Sequence, residues 1–149
     1  ALHSLSKTSN LASYRCGMIS GDEALVQELL EVRKHAGLIV PGPIQHAMVA
    51  ALESDLHEEM QRSDYAMRRL ELLKALPEAG FTVDDSDAGL YLWVRRDGMD
   101  SREILNWFAE RGILGAPGDF YGPAGASHVR IALTATDENI AKAARRIVE

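Results

Sequence analysis

Cysteine is all but missing from this chain. Cys16 stands alone, so no intrachain disulfide can form, which suits a reducing compartment. The expected role for Cys16 is a buried structural thiol. Basic clusters are missing as well. The formal net charge is −6, and the runs around Arg68-Arg69 and Arg95-Arg96 are short and mixed, which speaks against nucleic acid as a partner. The histidines (His3, His35, His46, His57, His128) lack ligand spacing with Cys, Asp or Glu, so no metal is expected. No apolar run reaches bilayer length and no signal peptide is read, so the expectation is a cytoplasmic protein away from membranes. Internal repeats and low-complexity segments are also lacking. The first residue is not Met, and the opening residues read as the middle of something, so a fragment is expected.

What is present is an ordinary globular composition. The chain has 149 residues, 46% hydrophobic and 26% charged, enough to bury a core.

Residues 1–19 fit two short strands joined by a hydroxyl-rich loop. Ser20 and Glu23 read as a capping box for a helix with Leu25, Leu29 and Val32 on one stripe. Arg33, Lys34 and His35 would close it against the negative end of its dipole, with Gly37 after it. Residues 38–43 break the pattern, and Pro43 suits the first turn of a second helix through Leu52. Asp55 and Glu58 open a long helix to about Leu76, with Met60, Met67, Leu70, Leu73 and Leu76 inward and Pro77 and Gly80 ending it.

From Phe81 the period changes. A hairpin is expected, with Leu90, Leu92 and Val94 on one face and Tyr91 and Trp93 on the other. Asp84, Asp85 and Asp87 lie in its turn. Asp100 and Glu103 cap a helix carrying Ile104, Leu105 and Phe108 inward. A short strand is expected at 113–116, then a loop through 125. In the strand His128–Leu133, Val129, Ile131 and Leu133 face one way, His128 and Arg130 the other. The last helix, from about Asp137, turns Ile140, Ala144, Ile147 and Val148 inward.

Two features stand out chemically. Ser4 to Arg15 sets a lysine, several hydroxyls and an arginine within twelve residues. Burial would free the Lys7 amine for a Schiff base, and a guanidinium fork matches phosphate oxygens. A solvated surface turn has the same composition. The second feature is Arg130 in the middle of an apolar strand. An unpaired buried charge is costly, so it must reach water or meet an anion, in a salt bridge within the fold or in a substrate carboxylate.

Taken together, Ser4-Leu5-Ser6-Lys7 with Tyr14-Arg15, Gly89-Leu90-Tyr91-Leu92-Trp93, Pro117-Gly118 with Phe120-Tyr121-Gly122, and Val129-Arg130-Ile131 resemble the C-terminal part of a fold-type I, PLP-dependent class I/II aminotransferase. The order of these motifs is the family's, and they run from the first residues to the last. The wording of Ser4–Arg15, Ala116–Gly125 and His128–Thr136 is similar to succinyldiaminopimelate transaminases of the actinobacterial type.

The resemblance implies an α/β fold in three parts. Residues 1–40 would be a remnant of the large PLP-binding domain, 41–77 connecting helices, and 78–149 a small α+β domain. It implies pyridoxal 5'-phosphate bound covalently to Lys7, its phosphate held by Ser4 and Arg15, and a substrate α-carboxylate held by Arg130. It implies amino-acid and 2-oxo-acid substrates, glutamate as donor in lysine and diaminopimelate synthesis, and a homodimer. Two departures matter. Ser13 stands where the family usually has Gly. The segment supplying the pyridinium partner and the stacking aromatic would precede Lys7, so this chain holds half a site and is expected to be inactive alone. The apolar stripe of residues 1–40 is then expected to be exposed or covered by a partner chain. Other readings remain: an aspartate, alanine or aromatic aminotransferase, a PLP-dependent C–S lyase, or a non-catalytic binding or assembly module.

Overall fold

The computed structural model describes residues 1–37 and 39–149; Leu38, which opens the 38–43 break, lies outside the described residues. The chain divides into two units, Ala1–Gln61 and Arg62–Glu149.

In the first unit, β1 (Leu2–Ser4) and β2 (Gly17–Ile19) pair antiparallel, Ser4 opposite Gly17. Both expected strands are there, but their connection is not a plain loop. Ser4 adopts an extended backbone, and its hydroxyl accepts from the Ser6 amide at 3.2 Å, which starts the one-turn helix α1 (Leu5–Thr8). A 3-10 turn over Ala12–Tyr14 follows. Leu5 and Cys16 are buried, the burial expected for the thiol.

The helix α2 spans Glu23–His35, and its cap corrects the sequence reading. Asp22, not Ser20, is the N-cap, and its carboxylate accepts from the Leu25 amide at 3.2 Å. A carboxylate there also meets the positive end of the helix dipole, which a serine hydroxyl cannot match. Leu25, Leu29, Leu30 and Val32 are exposed, in line with the uncovered stripe expected for residues 1–40. The helix α3 (Gly42–Leu52) carries Pro43 in its first turn, where its missing N–H costs nothing.

The helix α4 (Leu56–Glu78) runs from the first unit into the second. It passes through Pro77 rather than stopping before it. The chain turns off at Gly80, whose φ is 78°, with the Phe81 amide returning to the Leu76 carbonyl at 3.0 Å. The buried stripe also differs from the expected one. Leu76 is buried as expected and Leu73 is half-buried against the core, but Arg69, Leu72 and Ala75 are buried with them, whereas Met60, Met67 and Leu70 are exposed. A run of i+3 steps falls short of a full turn at each step and drifts off one face, so it misplaced the stripe.

The second unit is a four-stranded antiparallel sheet of order β3-β4-β6-β5, comprising β3 (Thr82–Asp84), β4 (Tyr91–Arg95), β5 (Ala116–Pro117) and β6 (His128–Ala132). The strand expected at 113–116 is reduced to Ala116–Pro117, because the Ile113 amide closes the preceding helix on the Phe108 carbonyl at 2.9 Å. One sheet face buries Leu92, Val94, Val129 and Ile131 with Leu72 and Leu76 of α4, with Ile104 and Phe108 of α5 (Ser101–Glu110), and with Ile140 and Ile147 of α6 (Asp137–Val148). Leu105 is only half-buried and Val148 is exposed, against expectation. The capping box of α5 forms as read: Asp100 accepts from the Glu103 amide at 2.9 Å and Glu103 accepts from the Asp100 amide at 2.8 Å.

Candidate active site

Ser4, Lys7 and Arg15 lie on the single connection between β1 and β2. Strand pairing fixes both ends of that connection. Its middle is tied down where the Ser9 hydroxyl donates to Glu58 at 3.3 Å and the Asn10 amide donates to Gln61 at 3.4 Å. Lys7 sits in the one turn of α1 and is exposed, so the burial expected for its amine is not present in this chain. The Ser4 hydroxyl donates to Ser6 Oγ at 3.1 Å while accepting from the Ser6 amide. Arg15 Nη1 donates to the Ala12 carbonyl at 3.0 Å, which leaves other guanidinium N–H groups for an anion. Arg15 adopts a left-handed backbone with φ 52°, as does Asn10 with φ 55°. Ser13, where the resembled family has Gly, lies inside the 3-10 turn with an ordinary backbone, so the serine costs no strain there. A hydroxyl, a guanidinium and an amine on one short segment form a donor set that suits a phosphate monoester and a carbonyl group.

In the second unit, register lines up one row across the sheet: Asp84 opposite Trp93, Trp93 opposite Arg130, Arg130 opposite Ala116. This row lies on the face away from the core. Arg130 therefore shares a surface with Tyr91, Trp93 and His128. Its Cζ stands 4.0 Å from the centre of the Tyr91 ring and 5.2 Å from that of Tyr121. Its Nε is buried without a hydrogen-bond partner, and no ion pair among the described residues includes it. The alternative of an internal salt bridge thus finds no support.

Beside Arg130, His128 stacks on Trp93 with ring centres 5.0 Å apart and planes 9° apart. His128 Nε2 donates to Asp84 Oδ2 at 3.0 Å, and Arg95 Nε donates to the same oxygen at 2.9 Å. The His128 bond chiefly, with Arg95 adding to it, holds the Asp84 carboxyl below the usual carboxylate range against partial desolvation.

The turn 117–126 closes over this face. Arg102 of α5 grips Asp119 through Nε at 3.1 Å and Nη2 at 2.9 Å, and the Ser101 amide donates to the Ala126 carbonyl at 2.8 Å. Tyr121 meets the Trp93 ring edge-on, with centres 5.8 Å apart.

The sequence therefore located the odd arginine but missed its company. Alternation alone puts Tyr91 and Trp93 on one face of β4, and His128 and Arg130 on one face of β6. Only the pairing of β4 with β6 makes those faces the same one. Tyr121 stands in the Phe120-Tyr121-Gly122 motif, but nothing local sets its ring beside Arg130.

A family profile described as aminotransferase class I and II matches residues 1–147. Among curated relatives, a probable aminotransferase of Mycobacterium tuberculosis is 63% identical over 99% of this chain and 35% of its own length. The 4-dedimethylamino-4-oxo-anhydrotetracycline transaminase OxyQ of Streptomyces rimosus is 58% identical over 99% of this chain and 41% of its own length. The chain thus spans well under half of these relatives. A solved structure of a probable N-succinyldiaminopimelate aminotransferase from Thermus thermophilus superposes with TM-score 0.80 at 33% identity, over 99% of this chain and 40% of that one. The expected α/β fold stands, and the chain belongs to the class I and II aminotransferases, a PLP-dependent family.

Proposed function

We propose that this chain is the C-terminal part of an aminotransferase in which Lys7 carries the cofactor, Ser4 and Arg15 hold its phosphate, and Arg130 binds the substrate α-carboxylate. The observation that carries the reading is Arg130. A guanidinium set against two tyrosine rings, with a buried and unpartnered Nε, lacks an anion, and a carboxylate meets an arginine fork with two parallel hydrogen bonds. The donor set on the β1–β2 connection fits the cofactor: a guanidinium and a hydroxyl for phosphate oxygens, an amine for the aldehyde carbon. PLP, when bound, supplies the electron sink for charge developing at the substrate Cα. The protein's share is to orient and to move protons. Arg130 fixes the carboxylate and so the direction of the Cα–H bond, and the Lys7 amine takes up and returns the proton. To bond a phosphate oxygen, the Ser4 hydroxyl turns its proton away from Ser6 Oγ.

Residues 1–40 are read as part of the large PLP-binding domain, 41–77 as connecting helices and 78–149 as the small domain. The exposed apolar residues of α2 favour a covering surface in the intact enzyme, which is read as a cytoplasmic homodimer. For substrates, the reading is glutamate as amino donor and an N-succinylated amino-ketopimelate as acceptor. The similarity to the Thermus structure and the motif wording support it. The 58% identity to OxyQ, named for a tetracycline intermediate, favours a second reading, a class I/II aminotransferase with another acceptor.

A panel of donors and acceptors on the full-length enzyme decides between them. Turnover of glutamate with the succinylated keto acid is expected. Good turnover of aspartate, or of a bulky cyclic ketone, with none of the succinylated substrate would sink the first version.

A further inference from the structure

Arg130 is a long side chain that must present its N–H edge in one direction, yet no carboxylate among the described residues anchors it. A protein carboxylate would hold it by taking up some of its in-plane N–H groups and leave fewer for a substrate. An aromatic ring touches the flat face of a guanidinium and leaves the in-plane donors unused. The Arg130 guanidinium carbon lies over both rings, 4.0 Å from the centre of Tyr91 and 5.2 Å from that of Tyr121.

The two rings are held differently. Tyr91 belongs to the sheet itself, diagonal to Arg130 across the β4–β6 pair. Tyr121 is 54% exposed, so burial does not fix it. Its place depends on the turn that carries it and on the T-shaped contact with the Trp93 ring. Trp93 is in turn backed by the parallel His128 ring, and His128 is bonded to Asp84. A line of contacts therefore runs Asp84, His128, Trp93, Tyr121, Arg130, from strand β3 to the substrate side of β6.

We propose that Tyr121 is a positioning residue for substrate recognition: buttressed by the Trp93–His128 stack, it sets the aim of the Arg130 guanidinium by ring contact. The inference rests on the carboxylate reading of Arg130. The Tyr121 ring is what matters, not its hydroxyl, so Tyr121→Phe keeps the function and Tyr121→Leu loses it.

The test uses the full-length enzyme of which this chain is part, with NMR of the Arg130 Nε–Hε pair and titration with L-glutamate. In the unmodified chain and in Tyr121→Phe, the Hε resonance is expected upfield of free arginine, shifted by the rings. In Tyr121→Leu it moves toward the free value, and glutamate affinity falls about tenfold. An Hε resonance unmoved by Tyr121→Leu, a glutamate affinity unmoved by Tyr121→Leu but lost in Arg130→Met, or a Tyr121→Phe chain that behaves like the leucine variant would each overturn the proposal. If Arg130→Met leaves glutamate affinity unchanged, the carboxylate reading itself fails, while the Hε shift still decides whether Tyr121 sets the guanidinium.

Discussion

Gly118 and Gly125 meet through their backbones. A Cβ on Gly118 would stand 2.2 Å from the Gly125 carbonyl oxygen and 2.9 Å from the Trp93 ring; one on Gly125 would stand 2.1 Å from the Gly118 carbonyl oxygen. Backbone atoms cannot step aside as a flexible side chain can, so a methyl group must push the turn off the sheet. Gly118→Ala and Gly125→Ala are each predicted to destabilise the chain by about 1–3 kcal/mol in urea unfolding. Gly42, with open space around its Cβ position, is the control, and Gly42→Ala should stay within about 0.5 kcal/mol of the parent.

The cap of α2 gives a second test. Asp22→Ala removes the bond to the Leu25 amide and should cost about 1 kcal/mol, read as faster amide exchange in the first turn of α2. Ser20→Ala should leave that exchange unchanged.

Asp84 predicts a pH dependence. The His128 bond first, then Arg95, keeps its folded pKa below the unfolded one. The contribution of Asp84 to stability is therefore complete above the unfolded pKa and is lost as pH falls through the lower, folded pKa. Acid unfolding of the parent chain should show a loss of stability across that window that Asp84→Asn does not show. Equal acid profiles for the two proteins would count against the Asp84–His128–Arg95 cluster.

Aromatic contacts join the aliphatic core of the second unit. Phe108 is fully buried, stacked on Phe81 at 5.0 Å and edge-on to Trp107 at 5.2 Å. Phe108→Ala should cost about 3–5 kcal/mol in denaturant unfolding.

How much of this was legible in the sequence depends on how far apart the deciding groups lie. The α5 box was readable because Asp100 and Glu103 are three residues apart and their bonds are local. The α2 cap was misread because Ser20 and Asp22 are both good caps, and only backbone geometry chooses between them. The α4 stripe failed for a related reason. Met67 and Leu70 fit helical spacing with Leu76 as well as Leu72 does, and the packing of α4 buries Leu72 and Leu76 and leaves the other two exposed. Buried Arg69 was invisible because its partners, the Ser86 hydroxyl and the Gly89 carbonyl, come from the β3–β4 loop. At the site, the face of Arg130 followed from alternation, but its ring contacts needed the register of β4 on β6 and the close approach of two glycines.

The proposed chemistry turns on Lys7 as the residue that holds the cofactor. Its most direct test is borohydride reduction of the full-length enzyme with PLP, followed by peptide mapping of the reduced label. The label is expected on the peptide containing Lys7 and is expected to be lost in Lys7→Ala. A label on Lys34, Lys74 or Lys142, or one that persists undiminished in Lys7→Ala, would contradict it.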